Sequence, residues 1–537
     1  MYAATFAKDI MQLSIKNENL KNKNNKAFRK IERLYYFTAI RNINHQSMLE
    51  NSFSTNSENM KKIIFFILFT LFAIENPINA QQVVSSTYLQ SYDIDHFVNE
   101  LNVPFSKTGV DMYRILYTTK DIEGAQDTAS GLLVIPQQVD VSFPLVSYSH
   151  GTAGGRFDVP GYLSFEHNLP AIYASMGVVC IAADYLGLGN SRGIHPYVHA
   201  DSEAWVSYDM MMAIKAYLSS ELDVKLNDQL YLTGYSQGGH AAMAFHRLLE
   251  TETEIEVSAA FPMSGPYSIS TGMRDLLLSD QEYDLPSYLA ATAVSYQAVY
   301  GNLYPNNDIK QFFRVPYADI ILKLATEESD LSTINQELVS SLIANEGGVF
   351  PKKMIFDNIV EDVLADENHA INVALRDNDV YDWTPLADTR LLYCSGDEQV
   401  AFQNSLIAEA KMLDNGAQFV SAIELGPTSN HTECVTPAAT NFVFYLLLNA
   451  TTTSQSKLEI QNTLVYPNPT FGPLVIKLND PNNGKADIYN LQGQIVSSFQ
   501  LTKGINQLFL NLEKGMYFIN ILNEAGKPIS IERLVIR

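Results

Sequence analysis

From Gln81 onward, apolar runs of strand length alternate with longer stretches of helical period. Residues 112–120, 130–136 and 144–149 are rich in β-branched and aromatic residues and predict strands. Val178–Asp184 is a continuous apolar run, the pattern of a strand covered on both faces in a parallel sheet. Helices are predicted around 164–176 and over 202–221. A short apolar strand at 229–233 runs into a helix rich in small residues through Ala241–Leu249, and another strand follows at 257–263. The rhythm breaks over 267–385, which is longer than a plain crossover and reads mainly as helices and loops. Tyr267, Tyr283, Tyr288, Tyr296 and Phe312 are among the aromatics there. The insertion is read as a cap over a site, most of its aromatics forming its own core and a few lining an apolar pocket. Strand 390–395, helix 401–414, strand 417–425 and helix 432–448 restore the alternation. Residues 81–450 therefore predict an α/β layered fold with a mostly parallel sheet and a helical cap insertion.

A polar linker is expected over 451–461, opening with Thr451-Thr-Thr-Ser-Gln-Ser456. Residues 462–537 then form a separate β-rich module. Turn signals fall at Pro481-Asn-Asn-Gly484, Gln492-Gly493, Lys503-Gly504 and Lys514-Gly515, and an all-β sandwich is expected. At the other end, Met60-Lys61-Lys62 precedes an apolar run from Ile63 to Ile74, with a small residue at Ala80. That is the build of a secretory signal peptide over 60–80, and the run is too short for an ordinary membrane span. Residues 1–59, rich in Asn and Lys, are read as an overextended start or a disordered arm.

The length of 537 residues calls for at least two domains, and 46% hydrophobic residues can build a large core. A formal net charge of −23 argues against nucleic acid as a partner. Cys180, Cys394 and Cys434 make neither a disulfide scaffold nor a C-x-x-C metal site. Cys180 is expected to be buried in a strand. Cys394 and Cys434 each lie three residues from a candidate catalytic residue; two buried thiols is the plainer reading, and a bridge between them is left open. Arg376-Asp-Asn-Asp-Val380 reads as a solvated turn rather than a calcium loop.

Candidate chemistry centres on Gly234-Tyr-Ser-Gln-Gly238, a match to G-x-S-x-G between a strand and a helix. The glycines allow a turn tight enough to lift Ser236 above the sheet edge, with the Gln237 N–H directed at a developing oxyanion. Such a serine needs a base and an acid, which follow it in the order acid, then histidine. Asp397 stands just after strand 390–395, and His431 follows the next strand and precedes the last helix. Glu398 is the rival acid. His240 lies one turn along the helix from Ser236 and is poorly placed as base, while His195 and His199 are loop residues able to touch substrate. The Gly-rich loop His150-Gly-Thr-Ala-Gly-Gly155 fills the place of the second oxyanion donor, through the Thr152 N–H, with His150 bracing the loop.

These residues carry two resemblances. Ser149-His-Gly-Thr152, Asp184-Tyr-Leu-Gly-Leu-Gly-Asn-Ser191, His195-Pro-Tyr197 and Gly234-Tyr-Ser-Gln-Gly-Gly239 resemble the α/β-hydrolases of the secretory lipase type over about residues 100–448. The resemblance is weak through 267–385. It implies hydrolysis of carboxylic esters, with acylglycerols as the type substrate. It implies Ser236 as nucleophile, Asp397 and His431 as acid and base, Thr152 and Gln237 as oxyanion donors, and no metal or organic cofactor. In the tail, Val465-Tyr-Pro-Asn-Pro-Thr-Phe-Gly472, Ile488-Tyr489, Gly493 and Gly515-Met-Tyr-Phe-Ile519 resemble the type IX secretion sorting domain, used for export across an outer membrane in Bacteroidota-type bacteria. That resemblance implies a secreted or cell-surface protein, with the secretion machinery as partner and no stable membrane span once the leader is removed. A serine peptidase, a feruloyl-type esterase and a non-catalytic surface protein on the same fold are the alternatives.

Overall fold

The computed structural model describes residues 81–454, 463–478, 483–490, 493–524, 526 and 528–537. The expected leader and the residues before it, and most of the linker, lie outside the described residues.

The main sheet is built from β1 (Val83–Tyr92), β2 (Val110–Lys120), β3 (Gln126–Pro136), β4 (Val141–Ser149), β5 (Val179–Ala183), β6 (Lys225–Tyr235), β7 (Ala259–Met263), β8 (Asp388–Tyr393) and β9 (Val420–Glu424). Their spatial order is β1-β2-β3-β5-β4-β6-β7-β8-β9, with a two-residue strand β10 (Thr453–Ser454) off this path, antiparallel to the start of β4. From β5 across to β9 every neighbour is parallel; β1, β2 and β3 join at one side as an antiparallel run. The crossovers β4 to β5, β5 to β6, β6 to β7 and β8 to β9 lay α1 (Asn168–Ser175), α2 (Ala200–Glu221), α3 (Gln237–Glu252) and α10 (Gln403–Asp414) on the sheet, and α11 (His431–Asn449) follows β9. One layer packs Met210, Ile214, Phe245 and Met412 on the sheet, and the opposite layer packs Tyr173, Phe261, Phe442 and Phe444. The mostly parallel, doubly covered sheet is the fold class the alternation predicts. β1 escaped the sequence reading. Its residues Val83-Val-Ser-Ser-Thr-Tyr-Leu-Gln-Ser-Tyr92 are half-buried or exposed, so an edge strand shows no apolar run.

Between β7 and β8 the chain leaves the sheet. It forms α4 (Arg274–Leu277), α5 (Pro286–Tyr300), α6 (Tyr317–Ala325), α7 (Leu331–Glu346), α8 (Asp357–Ala365) and α9 (Ala370–Asp377). These helices close a core of their own around Tyr296, Phe313, Tyr317, Ile334 and Leu338. The Arg376–Val380 stretch is not a solvated turn. Asn378 is buried, and its Oδ1 accepts the Ala200 N–H at the start of α2 (2.8 Å). The Asp379 carboxylate accepts both the N–H and the hydroxyl of Ser270. The segment is a packed joint because its short polar side chains satisfy buried backbone groups.

The tail forms two antiparallel sheets, β11 (Thr463–Tyr466), β12 (Pro473–Leu478) and β15 (Gly504–Phe509), and β14 (Ile495–Leu501), β13 (Gly484–Tyr489), β16 (Gly515–Asn523) and β17 (Pro528–Ile536). Leu474, Ile476, Ile488, Ile519 and Leu534 are buried together between them. Phe518 stacks on Phe444 of α11, ring centroids 3.9 Å apart, and Tyr489 meets Phe105 edge-on at 4.7 Å. No helix among the described residues is long and apolar enough to cross a membrane.

Candidate active site

β6 ends at Tyr235 and α3 begins at Gln237, so a single residue makes the turn. Ser236 holds φ 61° and ψ −124°, a conformation that L-residues seldom adopt and that persists only where the surroundings enforce it. The surroundings are backbone. A Cβ on Gly234 would lie 2.2 Å from the Gly238 carbonyl oxygen, and one on Gly238 would lie 2.0 Å from the Ser149 carbonyl oxygen. The Ser236 N–H donates to the Met263 carbonyl at 3.0 Å, tying the turn to β7.

Asp397 and His431 come from neighbouring strand ends. The Asp397 N–H donates to the Cys394 carbonyl just past β8, and His431 is the first residue of α11, capped by Asn430 and Glu433 in a capping box. The Asp397 carboxylate is 2.7 Å from His431 Nδ1. Its other oxygen accepts the N–H groups of Gln399 (3.0 Å) and Val400 (2.9 Å). A carboxylate held this way accepts a hydrogen bond from Nδ1–H, which keeps the proton on Nδ1 and leaves Nε2 as the basic nitrogen. Tyr235 ties the pair to the turn. Its hydroxyl donates to the His431 carbonyl at 2.5 Å, and its ring lies 5.0 Å from the imidazole. Glu398, the rival acid, accepts the His431 backbone N–H instead (3.0 Å). Cys394 and Cys434 form a disulfide, not two thiols, so the segments bearing Asp397 and His431 are also joined covalently. Cys180 is free and buried.

Thr152 lies in the loop after β4, and among the described residues neither its N–H nor that of Gln237 is engaged by a protein acceptor. Nearby, the half-buried Glu166 takes the Tyr148 hydroxyl on its Oε2 at 2.5 Å, and burial raises its pKa. Ser236 and Gln237 open on a cavity with almost wholly apolar walls, among them Tyr197, Met273, Tyr288, Leu289, Phe312 and Leu375.

Three other histidines near the site are held by other partners. His240 is buried, with Nδ1 2.7 Å from Glu203 and Nε2 2.9 Å from the Asn378 carbonyl. His150 has Nδ1 2.7 Å from the Gly151 carbonyl, and burial lowers its pKa to about 4. His199 caps α2 through the Ser202 N–H. Glu203 was not singled out from the sequence. It sits in the first turn of α2, where acidic residues are ordinary and exposed, yet it is buried beneath the Ser236 turn. Among the described residues no cluster of three or more His, Cys, Asp or Glu could hold a metal ion.

A strained serine between a parallel strand and a helix, under a helical cap, defines the α/β-hydrolase fold class, and comparisons with known proteins agree. The rice cell wall degrading esterase LipA from Xanthomonas oryzae superposes with a TM-score of 0.60 at 26% identity, covering 70% of this chain and 99% of that one. The closed state of lipase A from Candida antarctica superposes at 0.51 with 13% identity, covering 70% and 83%, a likeness of fold alone. Residues 464–537 match the secretion system C-terminal sorting domain, so the chain joins an α/β-hydrolase domain to a sorting tail. No curated protein matches the chain.

Proposed function

We propose that this protein is an exported serine esterase that hydrolyses carboxylic esters through Ser236, His431 and Asp397. The observation that carries the reading is the buried Asp397–His431 pair, tied through Tyr235 to a strained serine that opens on an apolar cavity. His431 Nε2 removes the Ser236 proton as Oγ attacks the ester carbonyl. The N–H groups of Thr152 and Gln237 take the charge that develops on oxygen. Collapse of the tetrahedral species expels the alcohol, protonated by His431, and leaves an acyl-serine. Water, deprotonated by the same imidazole, then releases the acid. The apolar walls beside Ser236 suit the hydrocarbon part of an ester better than a peptide chain, whose amides would lose their water unpaired. The likeness to an esterase supports the same class. The sorting tail supports export by type IX secretion, with residues 60–80 as the proposed leader and 1–59 not part of the exported protein.

Covalent labelling with a fluorophosphonate, alongside hydrolysis of p-nitrophenyl esters of graded chain length and of aminopeptidase substrates, tests the reading. Ser236→Ala should abolish labelling and lower kcat by about 10⁴–10⁶. Turnover near the wild-type rate in that variant would remove the mechanism.

A further inference from the structure

We infer that His195 and Tyr197 form a clamp that sets the two oxyanion donors at their working separation and connects them to the cap. The inference rests on the esterase reading, since it concerns how the same site is held.

His195 Nδ1 lies 2.9 Å from the Leu186 carbonyl, which can only accept. Nδ1 therefore carries the proton, and Nε2 is left with a lone pair. That lone pair faces the Gln237 side-chain nitrogen at 2.8 Å. The same amide nitrogen donates to Glu203 Oε1 at 2.8 Å, so both of its N–H groups are committed. Turning the amide over would set its oxygen against a carboxylate and a ring lone pair. The Gln237 side-chain oxygen is buried without a protein partner, which is consistent with the nitrogen contacts dictating the orientation. A side chain held at both N–H groups fixes the backbone of its own residue, and that backbone N–H is one of the two donors.

Two residues on, the Tyr197 hydroxyl lies 3.1 Å from Thr152 Oγ1, on the residue whose N–H is the other donor. Two side chains of one three-residue segment thus hold two loops that come from distant parts of the chain. The segment is itself latched to the cap. Ser295 Oγ, on α5, accepts the Tyr197 N–H (3.0 Å) and donates to the His195 carbonyl (2.8 Å). Burial holds His195 neutral, lowering its pKa to about 4, as acceptance from the amide requires.

These are positioning residues, because neither side chain is assigned a bond to reacting atoms. Tyr197→Phe keeps the ring and removes only the hydroxyl. His195→Leu removes the acceptor, and His195→Gln restores an acceptor near the place of Nε2. Hydrolysis of p-nitrophenyl butyrate and inhibition by an alkyl boronic acid, which mimics the tetrahedral species, are measured on the full chain. Misplacing a donor should lower kcat about 10- to 100-fold. KM should stay within about threefold, boronate affinity should fall in parallel with kcat/KM, and His195→Gln should recover part of the loss. A merely structural role would lower the melting temperature and leave boronate affinity per active site unchanged, and that result overturns the clamp. Tyr197→Phe with wild-type kcat also overturns it. A wild-type protein that is neither labelled by fluorophosphonate nor active on esters overturns the parent reading instead, so the two failures are distinct.

Discussion

Replacing Asp397 by Asn probes the proposed chemistry at one atom. The Asp397 side chain is 1% exposed and accepts three hydrogen bonds: His431 Nδ1 on one oxygen, and the N–H groups of Gln399 and Val400 on the other. An asparagine oxygen can keep the two backbone bonds. Its NH₂ then faces Nδ1, and the ring answers by moving its proton to Nε2, where it can no longer accept from a serine. The lost charge-assisted bond should cost about 2 kcal/mol of stability, a shift of a few degrees in melting temperature. The catalytic loss should be far larger. A wrong tautomer lowers kcat about 10⁴-fold, or about 5 kcal/mol in the barrier. Glu398→Gln is the matched control. Its amide oxygen still accepts the His431 backbone N–H, so kcat should stay within about threefold. Steady-state ester hydrolysis and calorimetry on the two variants give the comparison. Retention of a tenth or more of the wild-type kcat in Asp397→Asn, or an equal loss in Glu398→Gln, would refute the assignment of the acid.

Four further expectations follow from the geometry. The Cys394–Cys434 bridge spans a sequence separation of 40, and in the chain-entropy account its removal by the double Ala variant should cost about 4 kcal/mol, read as a lower denaturant midpoint; an unchanged midpoint would contradict it. Burial lowers the pKa of His150 and of His195 to about 4, below the ordinary 6.5, so the unfolded chain takes up protons that the fold excludes and stability should be lost as pH falls from 6.5 through about 4, by roughly 3 kcal/mol per histidine. Asp184 acts in the opposite sense: burial raises its pKa to about 6, so its share of stability declines as pH rises from 3.8 to about 6, and Asp184→Asn should make acid unfolding steeper, measured by denaturant titration at pH 4, 5 and 6. Gly238→Ala should fail to form the serine turn, since its Cβ would meet the Ser149 carbonyl oxygen at 2.0 Å; a soluble variant with normal fluorophosphonate labelling would show that the turn tolerates it.

The features legible in the residues alone are the local ones. The α/β alternation, the strand–serine–helix turn with its glycines and the β-rich tail are written in residues that are neighbours along the chain, so period and steric need expose them directly. The edge strand β1, with no face fully buried, left no such trace. Which distant groups meet emerged only once the chain was folded. Chain position favours Asp397 over Glu398, yet both lie within reach of His431, and the fold sets one on the ring and the other on the backbone. Whether Cys394 and Cys434 bond was open until β8 and α11 brought them together. Glu203 and Asn378 look like ordinary surface polar residues in the sequence, and they became buried partners of His240 because α2, α3 and the joint before β8 converge there. Those partners lie 37 and 138 positions from His240 along the chain, and neither residue type nor spacing encodes which of them the fold will bring together.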